Sequence, residues 1–362
     1  MSDLKKLRSK LSEIDLKIID LIHQRQSLSQ DIGILKRTKG KPTRDYKREK
    51  EVIELAKEHA SKLNIESEMI VDLMQLLIKS SLKTQEKARV KEEGLGSGQK
   101  VLVIGGCGRM GNWFVEFLTS QGYTVEIADP SQERSSDNSF QNWKDADDNY
   151  DMTVIAAPLR ESVTILSDML ETGRKGIVFD IGSLKSPVKD LLKRMAEKGI
   201  QVASIHPMFG PDADLLTGKH IIFMNIDSNK TLSKVRQLFE STTAQLIEMS
   251  IDSHDFAISY VLGLSHTLNI AFAKVLASSG ENKDLLSELS STTFKDQLSV
   301  AKRVTDENPH LYYEIQYMNK HSSKMINELS AVIENISQYI EQGDEAAFVA
   351  MMEDGKSYFS VK

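Results

Sequence analysis

A short apolar run, Val101 to Gly105, passes directly into Gly106-Cys107-Gly108-Arg109-Met110-Gly111 and then into the amphipathic stretch Asn112 to Gly122. A strand that must turn at once into a helix through closely spaced glycines leaves few folds open. It is the first half of a βαβ unit, in which parallel strands need the helix as their crossover. In this pattern Gly106 permits the tight turn, Gly108 lets a ligand's phosphates approach the backbone, and Gly111 allows close helix packing. The helix N-terminus adds free N–H groups and the positive end of the helix dipole, which favour an anion. Asp129 ends the next strand, twenty-three residues beyond Gly106. A carboxylate there suits a ribose 2′-hydroxyl and repels a 2′-phosphate. The loop from Gly106 through Arg109 and Met110 to Gly111, together with Asp129, is therefore a dinucleotide site, with NAD expected over NADP. Flavin proteins share the loop, but usually open their chains with it. Cys107 reads as a small residue that fits the loop.

The pattern continues downstream. VLVIGG, TVEIAD, MTVIAAP, GIVFDIG, QVASIHP, HIIFMN and QLIEMS are short, apolar and β-branched, and helical stretches separate them. Strands alternating with helices predict a doubly wound, mostly parallel sheet over residues 100–250. Residues 131–149 are polar and acidic and read as a surface stretch. From 251 to 362 the strand signals stop and the chain reads as helix, with breaks at Gly280 and Pro309. Residues 1–92 hold a single proline and two glycines before Lys91 and also read as helix. Residues 93–99, with three glycines in five positions, form a flexible connector. The expected fold class is α/β plus all-α: a helical domain at 1–92, a Rossmann sheet at 100–250 and a helical domain at 251–362.

Composition excludes several classes of function. A net charge of −6 argues against general nucleic-acid binding. A single cysteine rules out an internal disulfide and any multi-cysteine metal site, and no metal is expected. No signal core opens the chain, and no apolar run approaches the ~18 residues of a membrane span. A cytoplasmic protein without membrane contact is the expectation.

Two further motifs fall at strand ends, where ligands of open α/β sheets bind. Asp180-Ile-Gly-Ser183-Leu-Lys185 closes one strand, and His206-Pro-Met-Phe-Gly-Pro-Asp212 closes the next. Two prolines and a glycine stiffen the loop after His206. The glycine loop, DIGSLK and HPMFGPD together resemble prephenate dehydrogenase, over residues 100–362. That resemblance implies that His206 bonds the ring hydroxyl of prephenate and polarises it as the ring is oxidised, with Ser183 on the same hydroxyl. An imidazole with an unperturbed pKa near ~6.5 suits such a base. It also implies that Arg303 binds the ring carboxylate, through the two parallel bonds a guanidinium can make. His266 is implied on the substrate side. Lys295, where some relatives carry arginine, is left as a weaker point-charge contact.

In the N-terminal helices, Leu4, Leu7, Leu11, Ile14, Ile18, Leu21, Leu28, Ile32 and Leu35 recur at alternating intervals of three and four, a heptad seam. Arg25 interrupts it. A charge on a helix core must be paired or meet an anion. Lys36 lies three turns on along nearly the same face. Asp45, Arg48 and Glu49 share another face, and Ser81 and Gln85 stand at i, i+4 in an otherwise apolar run. Over residues 4–88 this set resembles the all-helical chorismate mutases. The resemblance implies that Arg8 reaches a carboxylate from the partner subunit and that Arg25 and Arg48 serve the substrate's carboxylate end. It places Lys36 and Gln85 on the ether oxygen, Asp45 and Glu49 on the ring hydroxyl, and Ser81 at a carboxylate. Taken together, the two resemblances imply a homodimeric enzyme of tyrosine biosynthesis that makes prephenate from chorismate and consumes it with NAD. Inhibition by tyrosine is a further expectation. The alternative is an arogenate dehydrogenase whose helical N-terminus only dimerises or senses a ligand.

Overall fold

The computed structural model describes residues 2–41, 43–131, 139–213, 216–226 and 229–360. Three helices open the chain: α1 (Ser2–Thr38), α2 (Tyr46–Lys62) and α3 (Ser67–Glu92). α3 packs against both α1 and α2. The face that α1 turns inward carries Arg25, Gln26, Ser29, Gly33 and Lys36, at helical spacing. Its heptad seam lies outside: Leu4, Leu7, Leu11, Ile14, Ile18, Leu21, Leu28, Ile32 and Leu35 are all exposed. Gly33 explains how close the helices come, because a Cβ there would lie 2.9 Å from Cγ of Gln85 on α3.

The sheet follows: β1 (Lys100–Ile104), β2 (Thr124–Ala128), β3 (Ser139–Phe140), β4 (Met152–Ile155), β5 (Ile177–Asp180), β6 (Gln201–Pro207), β7 (His220–Asn225) and β8 (Gln245–Ser250). Their order is β3-β2-β1-β4-β5-β6-β7-β8. The pairs from β3 to β6 are parallel, whereas β6 and β7 are antiparallel, with His206 opposite Ile222. Two departures from the sequence reading follow. The stretch 131–149 contributes an edge strand, β3, rather than surface chain alone, although residues 132–138 lie outside the described ones. The tight turn after β1 falls on Gly105, whose φ is +83°, not on Gly106. Gly106 is small for a different reason: a Cβ there would meet Ile127 at 2.7 Å.

Helices α4 (Arg109–Ser120) and α7 (Asn229–Glu240) contribute the aromatic part of the core. Phe117 stacks on Phe239 at 5.1 Å between ring centres, and Phe114 and Phe223 meet Phe239 edge-on. Such pairs contribute beyond the area they bury. The connecting helices α5 (Leu159–Thr172) and α6 (Lys189–Glu197) complete this part of the chain.

The chain divides into two compact units, residues 1–157, 169–181 and 195–248 in one, and 158–168, 182–194 and 249–362 in the other. In the second unit α8 (Ile251–Ile258) continues through a π-helical turn, Ser259–Leu264, into α9 (Ser265–Ser278). Then come α10 (Lys283–Glu288), α11 (Thr292–Thr305), α12 (Pro309–Met318), α13 (Ser322–Gln342) and α14 (Glu345–Ser360). The continuous run 251–278 is long and apolar enough to cross a membrane by length and composition, which the sequence reading overlooked. It carries buried His254, Asp255, His266 and Asn269, each engaged with groups of its own unit. The polar side of the run is thus engaged within the unit, while Phe256, Val261, Leu268, Ile270 and Val275 along it are exposed.

The closest approach in the first unit sets a testable limit. A Cβ on Gly111 would lie 2.0 Å from the carbonyl oxygen of Gly105. Gly111→Ala must therefore push α4 off the glycine loop, at a cost of about 1–3 kcal/mol. Thermal unfolding should show a clear drop in midpoint, and an unchanged midpoint would contradict this packing.

Candidate active sites

Between α1 and α3 the structure brings together Arg25, Ser81 and Gln85. Nη1 of Arg25 donates to Oγ of Ser81 (2.6 Å) and to the carbonyl of Leu77 (2.9 Å). Burial lowers the pKa of this guanidinium from its ordinary value. Nε2 of Gln85 donates to Oγ of Ser29 (2.7 Å), while its Oε1 is buried without a hydrogen-bond partner among the described residues. Cation, hydroxyl and amide thus converge on a half-buried face, a set able to bind a carboxylate and an ether oxygen.

The other residues of this group have local partners. Nζ of Lys36 donates to the carbonyl of Thr43 (2.8 Å). Asp45 does not share a helix face with its neighbours. It is the N-cap of α2, accepting from the N–H of Arg48 at 3.0 Å. Arg48 is exposed and paired with Glu51 at 3.1 Å. Glu49 is held by Arg44 through bonds of 3.0 and 3.1 Å. Arg8 is exposed near the start of α1. Sequence reasoning missed Ser29 and Arg44. Ser29 sits one turn from Arg25, and that spacing was the signal that could have found it.

At the carboxyl end of β1, the glycine loop and Asp129 form the second constellation. Asp129 follows β2, and its Oδ2 accepts the N–H of Cys107 (3.1 Å) while Oδ1 accepts from Ser131. The carboxylate is thereby fixed beside the loop. Gly108 follows in the N-cap position of α4 with little around it, since a Cβ there would meet only the Gly105 carbonyl, at 3.2 Å. A backbone bare of side chains, a helix N-terminus and an oriented carboxylate fit a dinucleotide with a free ribose hydroxyl. Met110 packs against the core. Arg109 turns away to Asp212, 3.1 Å from its Oδ2.

His206 is buried near the end of β6, 4% exposed. The loop after it is tied on several sides. The N–H of Met208 donates to the carbonyl of His220 (2.8 Å), Asp212 takes Arg109, and Nε1 of Trp113 donates to the carbonyl of Ala213 (3.0 Å). These bonds link the HPMFGPD loop to the helix that follows the glycine loop.

In the second unit, Ser183 stands in the turn after β5, half-buried. That turn is anchored by Asp255, whose carboxylate accepts the N–H groups of Lys185 (2.9 Å) and Ser186 (2.6 Å) and contacts Nδ1 of His254 (2.7 Å). Burial alone would raise this carboxyl, but the bonds from His254, Ser186 and Lys185 outweigh it and hold the pKa down to about 2. Neither Asp255 nor His254 is marked by a motif in the sequence. His266, on α9, stacks on Tyr312 with ring centres 4.0 Å apart. Burial pushes its pKa down to about 4, and its Nδ1 has no hydrogen-bond partner among the described residues. Lys295 and Arg303 lie eight residues apart on α11, both exposed, with Arg303 in the last turn. Among the described residues, no group of three or more His, Cys, Asp or Glu could hold a metal ion.

Comparison with known proteins finds three family matches along the chain. Residues 7–86 match the family model for chorismate mutase type II. Residues 117–248 match that for the nucleotide-binding domain of prephenate dehydrogenase, and 250–354 its dimerization domain. The T-protein of Enterobacter agglomerans is 24% identical over 362 residues, covering 99% of this chain and 94% of that protein. The chorismate mutase of Methanocaldococcus jannaschii is 31% identical over 84 residues, 23% of this chain and 85% of that one. Among solved structures, prephenate dehydrogenase from A. aeolicus in complex with hydroxyphenyl propionate and NAD+ superposes with a TM-score of 0.58 at 21% identity, covering 73% of this chain and 98% of that one. At that identity the likeness concerns the fold.

His266 provides a pH test. An ordinary imidazole takes its proton near 6.5, whereas His266 in the folded chain does so only at about 4. Between these values the unfolded chain binds a proton that the folded chain does not. The stabilisation from the neutral buried ring is complete above pH 6.5 and is lost as pH falls towards 4. Unfolding midpoints measured from pH 7 to 4 should fall less steeply in His266→Asn than in the wild type, and equal slopes would exclude this assignment.

Proposed function

Because the chain belongs to the type II chorismate mutases, here joined in one polypeptide to both domains of prephenate dehydrogenase, we propose that its two sites catalyse consecutive reactions. The helical site rearranges chorismate to prephenate. The second site carries out the oxidative decarboxylation of prephenate to 4-hydroxyphenylpyruvate, with NAD as cofactor. The observation that carries the first assignment is the cation–hydroxyl–amide set of Arg25, Ser81 and Gln85 between α1 and α3.

The rearrangement is pericyclic and needs no nucleophile or proton transfer. Its catalyst must hold the compact conformer and stabilise charge on the breaking ether bond. Arg25 and Arg48 take the substrate's carboxylates, with Ser81 assisting and Arg8 arriving from a second subunit. Lys36 and Gln85 bond the ether oxygen, while Asp45 and Glu49 hold the ring hydroxyl. Substrate entry exchanges the present partners of these groups, the Thr43 carbonyl for Lys36 and Arg44 for Glu49, for its own oxygens. The exposed seam of α1 supports a homodimer, since a second copy would cover its leucines and bring Arg8 to the neighbouring site.

In the dehydrogenase, Gly106, Gly108, Arg109, Met110, Gly111 and Asp129 hold the dinucleotide, which when bound supplies the electron-pair acceptor. His206 accepts the proton of the ring hydroxyl, and Ser183 bonds the same oxygen. Arg303 takes the ring carboxylate, with Lys295 as a weaker second cation and His266 beside the substrate. His266, neutral above about pH 4, acts there as a hydrogen-bonding and stacking group rather than a charge. The product's aromatic relative, tyrosine, inhibits the dehydrogenase, and the enzyme works in the cytoplasm.

One assay tests the whole reading: chorismate with NAD⁺ should yield NADH and 4-hydroxyphenylpyruvate together. Arg25→Ala should lower chorismate loss by about 100-fold or more. His206→Asn should lower prephenate oxidation by about 100-fold or more with NAD binding retained. Unchanged chorismate turnover in Arg25→Ala would make the helical part a dimerisation or sensing module instead. Faster turnover of arogenate than of prephenate would reassign the second substrate.

A further inference from the structure

Helix α3 carries Ser81 and Gln85 towards α1, but the next residue, Glu86, faces the sheet. Glu86 is 4% exposed, and its carboxylate accepts three hydrogen bonds. Oε2 takes the N–H of Leu216 at 2.9 Å. Oε1 takes the N–H of Thr243 at 2.6 Å and the hydroxyl of Thr243 at 2.5 Å. That hydroxyl also lies 2.6 Å from Oγ1 of Thr217. Neither N–H belongs to the helical N-terminus. Leu216 lies in the segment between β6 and β7, of which residues 214 and 215 are outside the described ones, and Thr243 precedes β8.

Packing holds this segment at Phe209, whose ring centre lies 5.0 Å from that of Trp113, and at buried Leu216, but leaves a gap on the α3 side. A cavity of about 590 Å³ lies there, lined by Lys87 and Val90 of α3, Trp113 of α4, and Pro211, Ala213 and Leu216 of the segment. Across that gap, hydrogen bonds complete its anchoring. Arg109 and Trp113 hold its middle, at Asp212 and Ala213, and Glu86 holds its end. A buried carboxylate with three donors is a rigid fixture, because losing it leaves the buried N–H of Leu216 and the half-buried N–H of Thr243 without acceptors.

Building on the assignment of His206 to prephenate oxidation, we propose that Glu86 is a positioning residue for the dehydrogenase, supplied by the mutase helix. Through Leu216 and Thr243 it fixes the far end of the His206 loop, so the aim of the dehydrogenase base depends on α3. Gln85 and Glu86, adjacent in sequence, thus serve different sites: one faces the mutase substrate and the other the dehydrogenase loop.

The test uses the full chain and measures each reaction alone, chorismate loss without NAD⁺ and NADH formation from added prephenate. Glu86→Ala should lower dehydrogenase kcat/KM by about 10- to 100-fold, the scale of a small misplacement of a catalytic group. Mutase kcat/KM should stay within about twofold, since the hydrogen bonds of Glu86 go to Leu216 and Thr243 and not to a mutase group. Glu86→Gln keeps one acceptor oxygen and should recover part of the loss. If Glu86→Ala fails to fold, Thr243→Val carries the test, because removing that hydroxyl should lower the dehydrogenase selectively. Unchanged dehydrogenase kinetics in the folded variants would overturn the proposal. So would a parallel fall of both activities and the unfolding midpoint, which marks Glu86 as an inter-domain tie alone. Wild-type turnover of chorismate and prephenate, measured alongside, separates failure of the functional assignment from failure of this inference.

Discussion

Strand β1 sits where the connections of the sheet reverse direction: the chain leaves it towards β2 and β3 on one side and returns to β4 on the other. Right-handed crossovers on both sides of such a point leave a crevice at the carboxyl ends of the strands. The glycine loop lies in that crevice because it follows β1, and Asp129 arrives there because it follows β2. His206 reaches the same edge of the sheet at the end of β6. The contact of Gly111 with the Gly105 carbonyl keeps the loop tight enough for this arrangement.

The N-terminal helices invert the usual rule of burial. α1 turns Arg25, Ser29 and Lys36 inward and leaves its leucines outside. A single chain gains little by burying polar groups and exposing apolar ones. Under the proposed function the inner face receives an anionic substrate and the outer face a second copy. Gly33 is the point at which α3 approaches closely enough for Gln85 to reach Ser29.

Buried carboxylates are the fixtures of both units. Glu86 holds Leu216 and Thr243, Asp255 holds Lys185 and Ser186, and Glu314 accepts the N–H of Leu159 at the start of α5 (3.1 Å). In each case an acid removed from water is satisfied by backbone N–H groups. The favourable dipole at a helix N-terminus adds to the last of these. Two of the three fixtures lie next to loops that carry assigned groups, His206 in one unit and Ser183 in the other.

How much of this was legible depended on the range of each interaction. The glycine loop, Asp129, Ser183 and His206 were readable because local backbone chemistry dictates them: a turn, a helix start, a strand end. The helical periods of α1 and α3 marked Arg25, Ser81 and Gln85 for the same reason. The sequence by itself therefore determined the sheet, the glycine loop after β1 and the helical placement of Arg25, Ser81 and Gln85. It missed Gly105 as the turn residue, because adjacent glycines are equivalent until φ is known. It put Asp45 on a helix face although that residue caps the helix, since cap and first turn look alike in a pattern. Glu86 and Asp255 could not be found at all, because their partners lie 130 and 70 residues away in the chain. Only the tertiary structure decided those bonds. A buried carboxylate is recognised by the N–H groups that surround it, and no local pattern records where they will be.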